Sequence, residues 1–259
     1  MPETSMHEDD FPEAWKRQIG LAGKVGAVKP IAIAERVNLP AVNLLAIPPA
    51  LPLEVAALQE PLAVALHSIG LAAVAEGETL AVFGAGAIGL LTIAGLKLLR
   101  PRRIWAIEPL AHRRELALRM GADAALDPAQ VDAARELLRE TANRGVDCAF
   151  DCAAKQQSSN QAIRAARSGG RVVITGIHSE CFFPMEVSPM RRKELAILAV
   201  RRSNDESHAA LGLLVDETAR FAPLVTHTRP LENIAEAFRI AGDYADGVGK
   251  MVVTAQPGG

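Results

Sequence analysis

The chain has 259 residues, of which 49% are hydrophobic and 22% are charged, and its formal net charge is −2. This composition is typical of a globular protein with one large or two modest domains. The near-neutral charge and the 4% aromatic content exclude a basic, base-stacking surface for nucleic acid and give no electrostatic attraction to a membrane.

From Thr79 onward, short apolar runs alternate with segments that have a helical pattern. Strands are predicted at 79–84, 102–108, 124–128, 146–152 and 170–177. Helices are predicted at 87–99, 110–122, 129–142 and 158–168, with the glycine pair 169–170 ending the last one. This alternation predicts βαβ units on a parallel sheet, which is the α/β class with a doubly wound Rossmann arrangement.

The stretch 79–99 is nearly all apolar and is long enough to span a membrane. Glycines interrupt it, however, and the residues on either side favour a strand followed by a helix. The spacing of Gly84, Gly86 and Gly89 at such a turn predicts a dinucleotide site. Gly84 permits the turn, Gly86 lets a pyrophosphate approach the backbone, and Gly89 lets the helix pack closely on the sheet. The alternative is that the glycines serve packing only.

Glu108 lies 19 residues beyond Gly89, at the end of the next predicted strand. In dinucleotide sites an acid about 20 residues further on binds the ribose hydroxyls. Its carboxylate would repel a 2′-phosphate, which favours NAD over NADP. Arg113 and Arg114 leave this choice open, because a guanidinium near the ribose can accept a 2′-phosphate; otherwise both belong to a solvated helix face.

Several segments, in order and spacing, resemble the medium-chain dehydrogenase/reductase superfamily, and within it the zinc-dependent sorbitol and threonine dehydrogenase branch. They are LQEPLAVALHSI, VFGAGAIGLLTI, AIEPLAHRRELALRMGAD, RSGGRVVITGIHSE and LVTHTRPLENIAEAFRIA followed by GVGKMVVT. The resemblance implies a Rossmann domain at 75–220. It also implies a remnant of a GroES-like, β-rich catalytic domain built from both chain ends, 1–74 and 221–259.

The resemblance implies roles for individual residues. Arg201 corresponds to an arginine near the mouth of the site, and Glu60 to a glutamate at or beside the catalytic zinc. The alternative for Glu60 is a surface acid near a helix end. Glu60 and Arg201 are therefore the implied catalytic residues. The implied cofactor-binding residues are Gly84, Gly86, Ala87, Ile88, Gly89, Glu108, Arg113, Cys152, Gly176 and Ile177.

The chain departs from the family pattern in its metal ligands. No cysteine precedes Cys148, and the family's Gly-His-Glu segment is absent, the pair His7-Glu8 being only a superficial likeness in a polar tail. Catalytic zinc usually needs three protein ligands, which Glu60 alone or with His67 does not supply. We therefore expect most of the N-terminal catalytic domain to be missing and tight zinc binding to be absent.

Two functions follow from these observations. The first is an NAD(P)-dependent oxidoreductase that transfers a hydride between a secondary alcohol or polyol and the nicotinamide ring. The second is a catalytically inactive NAD-binding relative that acts as a regulatory or assembly subunit. The expected substrate is a small-molecule alcohol or carbonyl compound.

Assembly and location are also predicted. The segments 180–187 and 194–200 are interpreted as edge elements that pair two copies into a homodimer or homotetramer, or alternatively as internal strands. Three cysteines without a Cys-x-x-Cys pair, and an acidic polar start without a signal-peptide pattern, predict a cytoplasmic protein with free thiols.

Overall fold

The computed structural model describes residues 44–180 and 182–255. The strands are β1 (Thr79–Phe83), β2 (Arg103–Ile107), β3 (Ala124–Leu126), β4 (Val146–Asp151), β5 (Ala166–Ile174), β6 (Ala196–Ala199), β7 (Val225–Pro230) and β8 (Lys250–Thr254). The α-helices are α1 (Leu53–Ala56), α2 (Gln59–Ala72), α3 (Ala87–Leu98), α4 (Ala111–Arg119), α5 (Ala133–Glu140), α6 (Gln156–Ala165), α7 (Val187–Arg192), α8 (Ser207–Asp216), α9 (Thr218–Phe221) and α10 (Ile234–Gly242).

Six strands form one parallel sheet in the order β3-β2-β1-β4-β5-β6. This is the order of the doubly wound dinucleotide-binding fold, so the predicted fold class is confirmed. The strand order reverses between β1 and β4, and ligands of such sheets bind at the carboxyl ends beside that point. In the register, Phe83 lies opposite both Ile107 and Asp151, so three strands end at the same level there.

Burial on both faces explains the continuous apolar strands. Every residue of β1 is buried, with Leu80 and Val82 in one core cluster and Ala81 and Phe83 in the other. This alternation follows from the two-residue period of a strand. The first cluster packs beneath α2, α3 and α8, and the second packs beneath α5 and α6. The long apolar run 79–99 is therefore divided between a core strand and a core helix, and no helix of the described residues is long and apolar enough to cross a membrane.

Several predicted element boundaries differ from the structure, and two of the differences have a clear physical cause. Helix α5 begins at Ala133 rather than at 129, because the Asp132 side chain accepts a hydrogen bond from the Arg135 N–H and caps the helix there. Helix α6 ends at Ala165, ahead of the glycine pair at which the helix was expected to stop. Ala166 already pairs with Val146 of β4, so tertiary strand pairing outweighs the local glycine signal.

The predicted edge element at 180–187 forms no strand with the described residues. Residues 182–186 have no regular structure and lead into α7. Asn160 of α6 binds this segment through both ends of its amide: Nδ2 donates to the Pro184 carbonyl and Oδ1 accepts from the Glu186 N–H. Strand β6, within the other predicted segment, does form an edge of the sheet. Pairing of two copies along β6 stays a prediction.

The segments that precede and follow the six-stranded sheet in sequence pack against it. Helix α2 packs closely on α3, where a Cβ on Gly95 would lie 2.9 Å from Ile69 Cδ1. Strands β7 and β8 form a small parallel sheet with α10 between them in sequence. Most of the predicted N-terminal part of the catalytic-domain remnant, including His7, lies outside the described residues. The predicted domain boundaries stay predictions.

Candidate functional site

The turn between β1 and α3 has three glycines whose surroundings differ. Gly84 has a φ of +92°, and a Cβ on it would lie 2.8 Å from the Ala153 nitrogen. A Cβ on Gly89 would lie 1.9 Å from the Gly84 carbonyl oxygen, which leaves no room for a side chain. A Cβ on Gly86 would have no neighbour within 4 Å. Gly84 and Gly89 therefore form the turn, whereas Gly86 exposes its backbone to open space.

Helix α3 begins directly after this turn, with Gly86 as its N-cap and no side chain capping it. The first N–H groups of a helix have no acceptor within the helix, and the helix dipole places partial positive charge there. Ala87 and Ile88 occupy these first helical positions. The arrangement suits an anionic group such as a pyrophosphate.

Glu108 lies at the end of β2 beside the turn and is 4% exposed. Its Oε2 accepts a hydrogen bond of 2.8 Å from the Ala85 N–H, and its Oε1 accepts one of 3.1 Å from the Leu110 N–H. The two backbone donors hold the carboxylate against the glycine turn. Because a carboxylate oxygen can accept more than one hydrogen bond, Glu108 keeps acceptor capacity for a ligand.

The two arginines that follow have different environments. Arg114 Nη1 donates to the carbonyl oxygens of Glu108 and Pro109, at 2.8 and 2.6 Å, and lies 3.2 Å from the Asp127 carboxylate. Arg113 places its guanidinium 4.3 Å from the centroid of the Tyr244 ring. Arg113 Nε is buried and has no hydrogen-bond partner among the described residues. Arg114 is therefore used by the fold, and Arg113 faces the site.

Asp151, at the end of β4, organises the opposite side of the site, although it belongs to none of the predicted site residues. It is fully buried, and its Oδ1 accepts hydrogen bonds from the Ala153 and Ala154 N–H groups and from Ser158 Oγ. Its Oδ2 accepts one of 2.5 Å from Ser159 Oγ. The carboxylate thus shapes the turn against which Gly84 packs. An acid at the end of an apolar strand, with two serines seven and eight residues later, was the available sequence signal.

Three more predicted cofactor-binding residues follow the ends of strands. Cys152 comes directly after β4, and Gly176 and Ile177 come after β5. The Cys152 N–H donates to the Phe83 carbonyl, and burial together with the nearby Asp151 carboxylate raises the pKa of the Cys152 thiol to about 12. Gly176 packs tightly, since a Cβ on it would lie 2.8 Å from Ala154 Cβ. Ile177 is 94% exposed.

A cavity of about 500 Å³ joins the glycine turn, the end of β2 and the start of α6. Of the predicted cofactor-binding residues, it brings together Gly84, Gly86, Glu108, Arg113 and Cys152. Side chains that the sequence analysis missed also line it: Lys155, Gln157, Ser158, Gln161 and Tyr244. The cavity combines a glycine without a neighbouring side chain, a helix start and a buried acid, and these features fit a dinucleotide.

The predicted catalytic residues lie elsewhere. Glu60 is an exposed acid in the first turn of α2, and His67 of the same helix places Nδ1 2.8 Å from Glu206 Oε1. Arg201 is exposed and follows β6 by two residues. Among residues 44–180 and 182–255, no group of three histidine, cysteine, aspartate or glutamate side chains could hold a metal ion. The described residues therefore do not fit a catalytic zinc, and the roles of Glu60 and Arg201 stay predictions.

Comparison with known proteins agrees with the fold. Residues 87–216 match the zinc-binding dehydrogenase family. The chain is 32% identical over 204 residues to L-threonine 3-dehydrogenase of Caldanaerobacter subterraneus subsp. tengcongensis and 30% identical over 209 residues to sorbitol dehydrogenase of Bacillus subtilis. A protein from E. coli CFT073 that is described as a short chain alcohol dehydrogenase, and was solved with NADH, superimposes with a TM-score of 0.76 at 25% identity. The chain belongs to the zinc-binding dehydrogenase family of medium-chain dehydrogenases/reductases.

The matches cover much of this chain but less of its relatives. The threonine and sorbitol dehydrogenases are matched over 77% and 80% of this chain, and over 58% and 59% of their own length. The NADH-bound structure is matched over 83% of this chain and 64% of that protein. The chain thus spans about three fifths of the length of the curated relatives it matches.

Proposed function

We propose that this chain binds NAD at the carboxyl edge of its large sheet and serves hydride transfer between NAD and a small secondary alcohol, a polyol or the corresponding carbonyl compound. The observation that carries the proposal is the open backbone of Gly86 at the start of α3, directly beside the buried carboxylate of Glu108. The family and its dehydrogenase members support this assignment.

Each part of the site has a role in the proposal. The first N–H groups of α3, at Ala87 and Ile88, bind the pyrophosphate, and Glu108 accepts hydrogen bonds from the ribose hydroxyls. Asp151 holds the turn that borders the glycines. Bound NAD supplies an acceptor for the hydride of the carbinol carbon, while the hydroxyl proton leaves to solvent and the alcohol becomes a carbonyl. We assign no step to zinc, because the described residues do not fit it.

The contacts around Glu108 support NAD over NADP. Two backbone N–H groups hold its carboxylate in place, so a 2′-phosphate would meet a negative charge that is not free to move away. Arg114 is occupied by two backbone carbonyls and Asp127, and is not available to a phosphate. Of these two arginines, only Arg113 lines the cavity, so it is the one that a 2′-phosphate would meet beside the Glu108 carboxylate.

The first test compares three glycine-to-alanine variants of the full chain by calorimetric titration with NAD and by thermal unfolding. Gly86→Ala should lower the stability by no more than about 1 kcal/mol, because Gly86 is the N-cap of α3 and alanine caps a helix less well than glycine. It should weaken NAD binding at least tenfold, about 1.4 kcal/mol, because the new methyl group faces open space where the pyrophosphate approaches. Gly89→Ala should destabilise the fold by about 3 kcal/mol, because its Cβ overlaps the Gly84 carbonyl.

Gly70→Ala is the matched control, since it adds the same methyl group in open space on the exposed side of α2. It should leave NAD binding unchanged and should not lower the stability. NAD binding by Gly86→Ala as tight as that of the Gly70→Ala control would contradict the assigned pyrophosphate position. A native chain that binds no NAD at millimolar concentration would overturn the proposed function.

The second test addresses cofactor preference. Glu108→Gln should narrow the difference in affinity between NAD and NADP by about tenfold, because it removes the charge that repels the 2′-phosphate and keeps one acceptor oxygen for a backbone N–H. Glu115→Gln removes the same charge from an exposed position on α4 and should leave the preference unchanged. An equal change in both variants would show that total charge, rather than Glu108, sets the preference.

Turnover separates the two functions that the sequence left open. The purified chain is assayed for NADH formation with small secondary alcohols and polyols, with and without added zinc. Alcohol-dependent NADH formation supports the oxidoreductase. Tight NAD binding without turnover under any of these conditions supports the non-catalytic NAD-binding protein.

A further inference from the structure

Tyr244 comes from the far end of the chain and reaches the cofactor cavity. It lies in the loop between α10 and β8, two residues beyond the end of α10, and it lines the same cavity as Gly86 and Glu108. Neither the sequence motifs nor the family match at 87–216 includes this residue. The ring is 54% exposed, so part of its surface is available to a ligand.

The loop that carries Tyr244 is held firmly on α4. Its backbone turns are closed by hydrogen bonds from the Ala245 N–H to the Ile240 carbonyl and from the Val248 N–H to the Ala245 carbonyl. Gly249 packs so closely on α4 that a Cβ there would lie 2.5 Å from Leu116 Cδ2. The position of the tyrosine relative to α4 is therefore set by packing of the backbone.

Arg113 contacts Tyr244, and both residues line the cavity. Its guanidinium lies 4.3 Å from the ring centroid, a cation–π contact that orients both side chains. Buried polar groups nearly always have a partner, yet Arg113 Nε has none among the described residues. An aromatic ring beside an arginine whose hydrogen-bonding capacity is incompletely used is a typical surface for a flat base attached to a sugar phosphate.

The position of the pair indicates which end of a dinucleotide it would meet. In this fold the acid after β2 binds the ribose of the adenosine half, and the pyrophosphate lies at the glycine turn. Arg113 follows that acid by five residues, and the cavity wall there also includes Pro109 and Leu110. Tyr244 therefore lies on the adenosine side of the cavity.

We propose that Tyr244 forms the adenine-binding surface of this site, with its ring stacked on the base and oriented by Arg113, which the family resemblance implies to lie beside the adenosine ribose. This inference rests on the proposed NAD binding and specifies its adenosine end. If Tyr244 has this role, the C-terminal segment formed by β7, α10 and β8 contributes an aromatic side chain to cofactor binding.

The experiment titrates the full chain with NAD, with ADP-ribose and with nicotinamide mononucleotide, measuring each dissociation constant by calorimetry. Tyr244→Ala should weaken NAD and ADP-ribose binding about tenfold, because base stacking is lost, and should leave nicotinamide mononucleotide binding unchanged. Tyr244→Phe keeps the ring and should bind all three probes as the native chain does. Tyr244→Leu keeps a bulky side chain over Arg113 but not a flat ring, and should behave like the alanine variant.

Phe238→Ala is the control, since it removes an exposed aromatic ring from α10 that does not line the cavity. It should leave all three dissociation constants unchanged. Native-like NAD binding by both Tyr244→Ala and Tyr244→Leu would overturn this inference and leave NAD binding itself intact. An equal loss for ADP-ribose and nicotinamide mononucleotide would overturn the assignment to the adenosine end. Absence of NAD binding by the native chain would overturn both proposals.

Discussion

Two buried aspartates lie at opposite ends of the same strand, β4, and differ in their partners. Asp147, at the amino end, accepts hydrogen bonds from the guanidinium groups of Arg144 and Arg167 and from the backbone and hydroxyl of Thr79. Asp151, at the carboxyl end, accepts from two backbone N–H groups and two serine hydroxyls. One carboxylate is neutralised by cations, and the other is held by neutral donors.

The difference shows how one strand serves stability at one end and function at the other. The Asp147 cluster ties β1, β4 and the start of β5 together, away from the cofactor cavity. Asp151 orders the turn that lines the cavity through hydrogen bonds from neutral donors. His178 places Nε2 3.7 Å from Asp151 Oδ2. The substitution of aspartate by asparagine, which keeps the shape and removes the charge, should therefore cost much more stability at Asp147 than at Asp151.

Asp147→Asn should cause the largest loss of stability. Both carboxylate oxygens accept from arginine, so either orientation of the new amide places an NH₂ group against a guanidinium. We expect the free energy of unfolding to fall by about 3 kcal/mol, the low end for a broken buried pair, because both arginines retain contact with water. Urea unfolding at neutral pH measures the change. A loss below about 1 kcal/mol would show that the cluster contributes little.

Acid should reduce the same contribution in the native chain. Burial by itself raises the pKa of Asp147, but hydrogen bonds from Arg144, Thr79 and Arg167 outweigh burial and hold this pKa well below its ordinary value. Because the folded-state pKa is depressed, the stabilisation is present above the unfolded pKa of about 3.9 and is lost as the pH falls below it.

Between pH 7 and pH 3 the native chain should therefore lose about 1 kcal/mol more stability than Asp147→Asn does. Urea unfolding of both chains at several pH values measures the difference between them. A difference that stays constant down to pH 3 would contradict the assigned role of the Asp147 charge.

Asp151→Asn should have the smallest effect. The remaining amide oxygen can still accept from the Ala153 and Ala154 N–H groups, and the new NH₂ can donate to Ser159 Oγ, whose hydroxyl also lies 3.2 Å from the Lys155 carbonyl. We expect less than about 1 kcal/mol of lost stability and an NAD dissociation constant within about threefold of the native value. A loss as large as that of Asp147→Asn would remove the distinction between the two ends of β4.

The alternation of apolar runs and helical patterns from Thr79 onward was sufficient to predict the parallel α/β fold. Strand β1, the turn and α3 follow from an apolar run interrupted by Gly84 and Gly86, and Glu108 was found from its spacing and its position at the end of the next predicted strand. The end of α6 could not be predicted in this way. Pairing of Ala166 with Val146 starts β5 ahead of the glycines, and a pairing between distant segments leaves no local signal.

The sequence by itself determined the parallel α/β fold, the glycine turn and the acid at the end of β2, because each depends on residue type at short spacing. Only the tertiary structure decided which arginine faces the cavity and what lies opposite it. Arg113 and Arg114 are adjacent and chemically identical, but Arg114 is drawn to carbonyls and Asp127 while Arg113 meets Tyr244. Tyr244 reaches the site because close packing of Gly249 on Leu116 fixes its loop against α4, a contact between segments far apart in the chain.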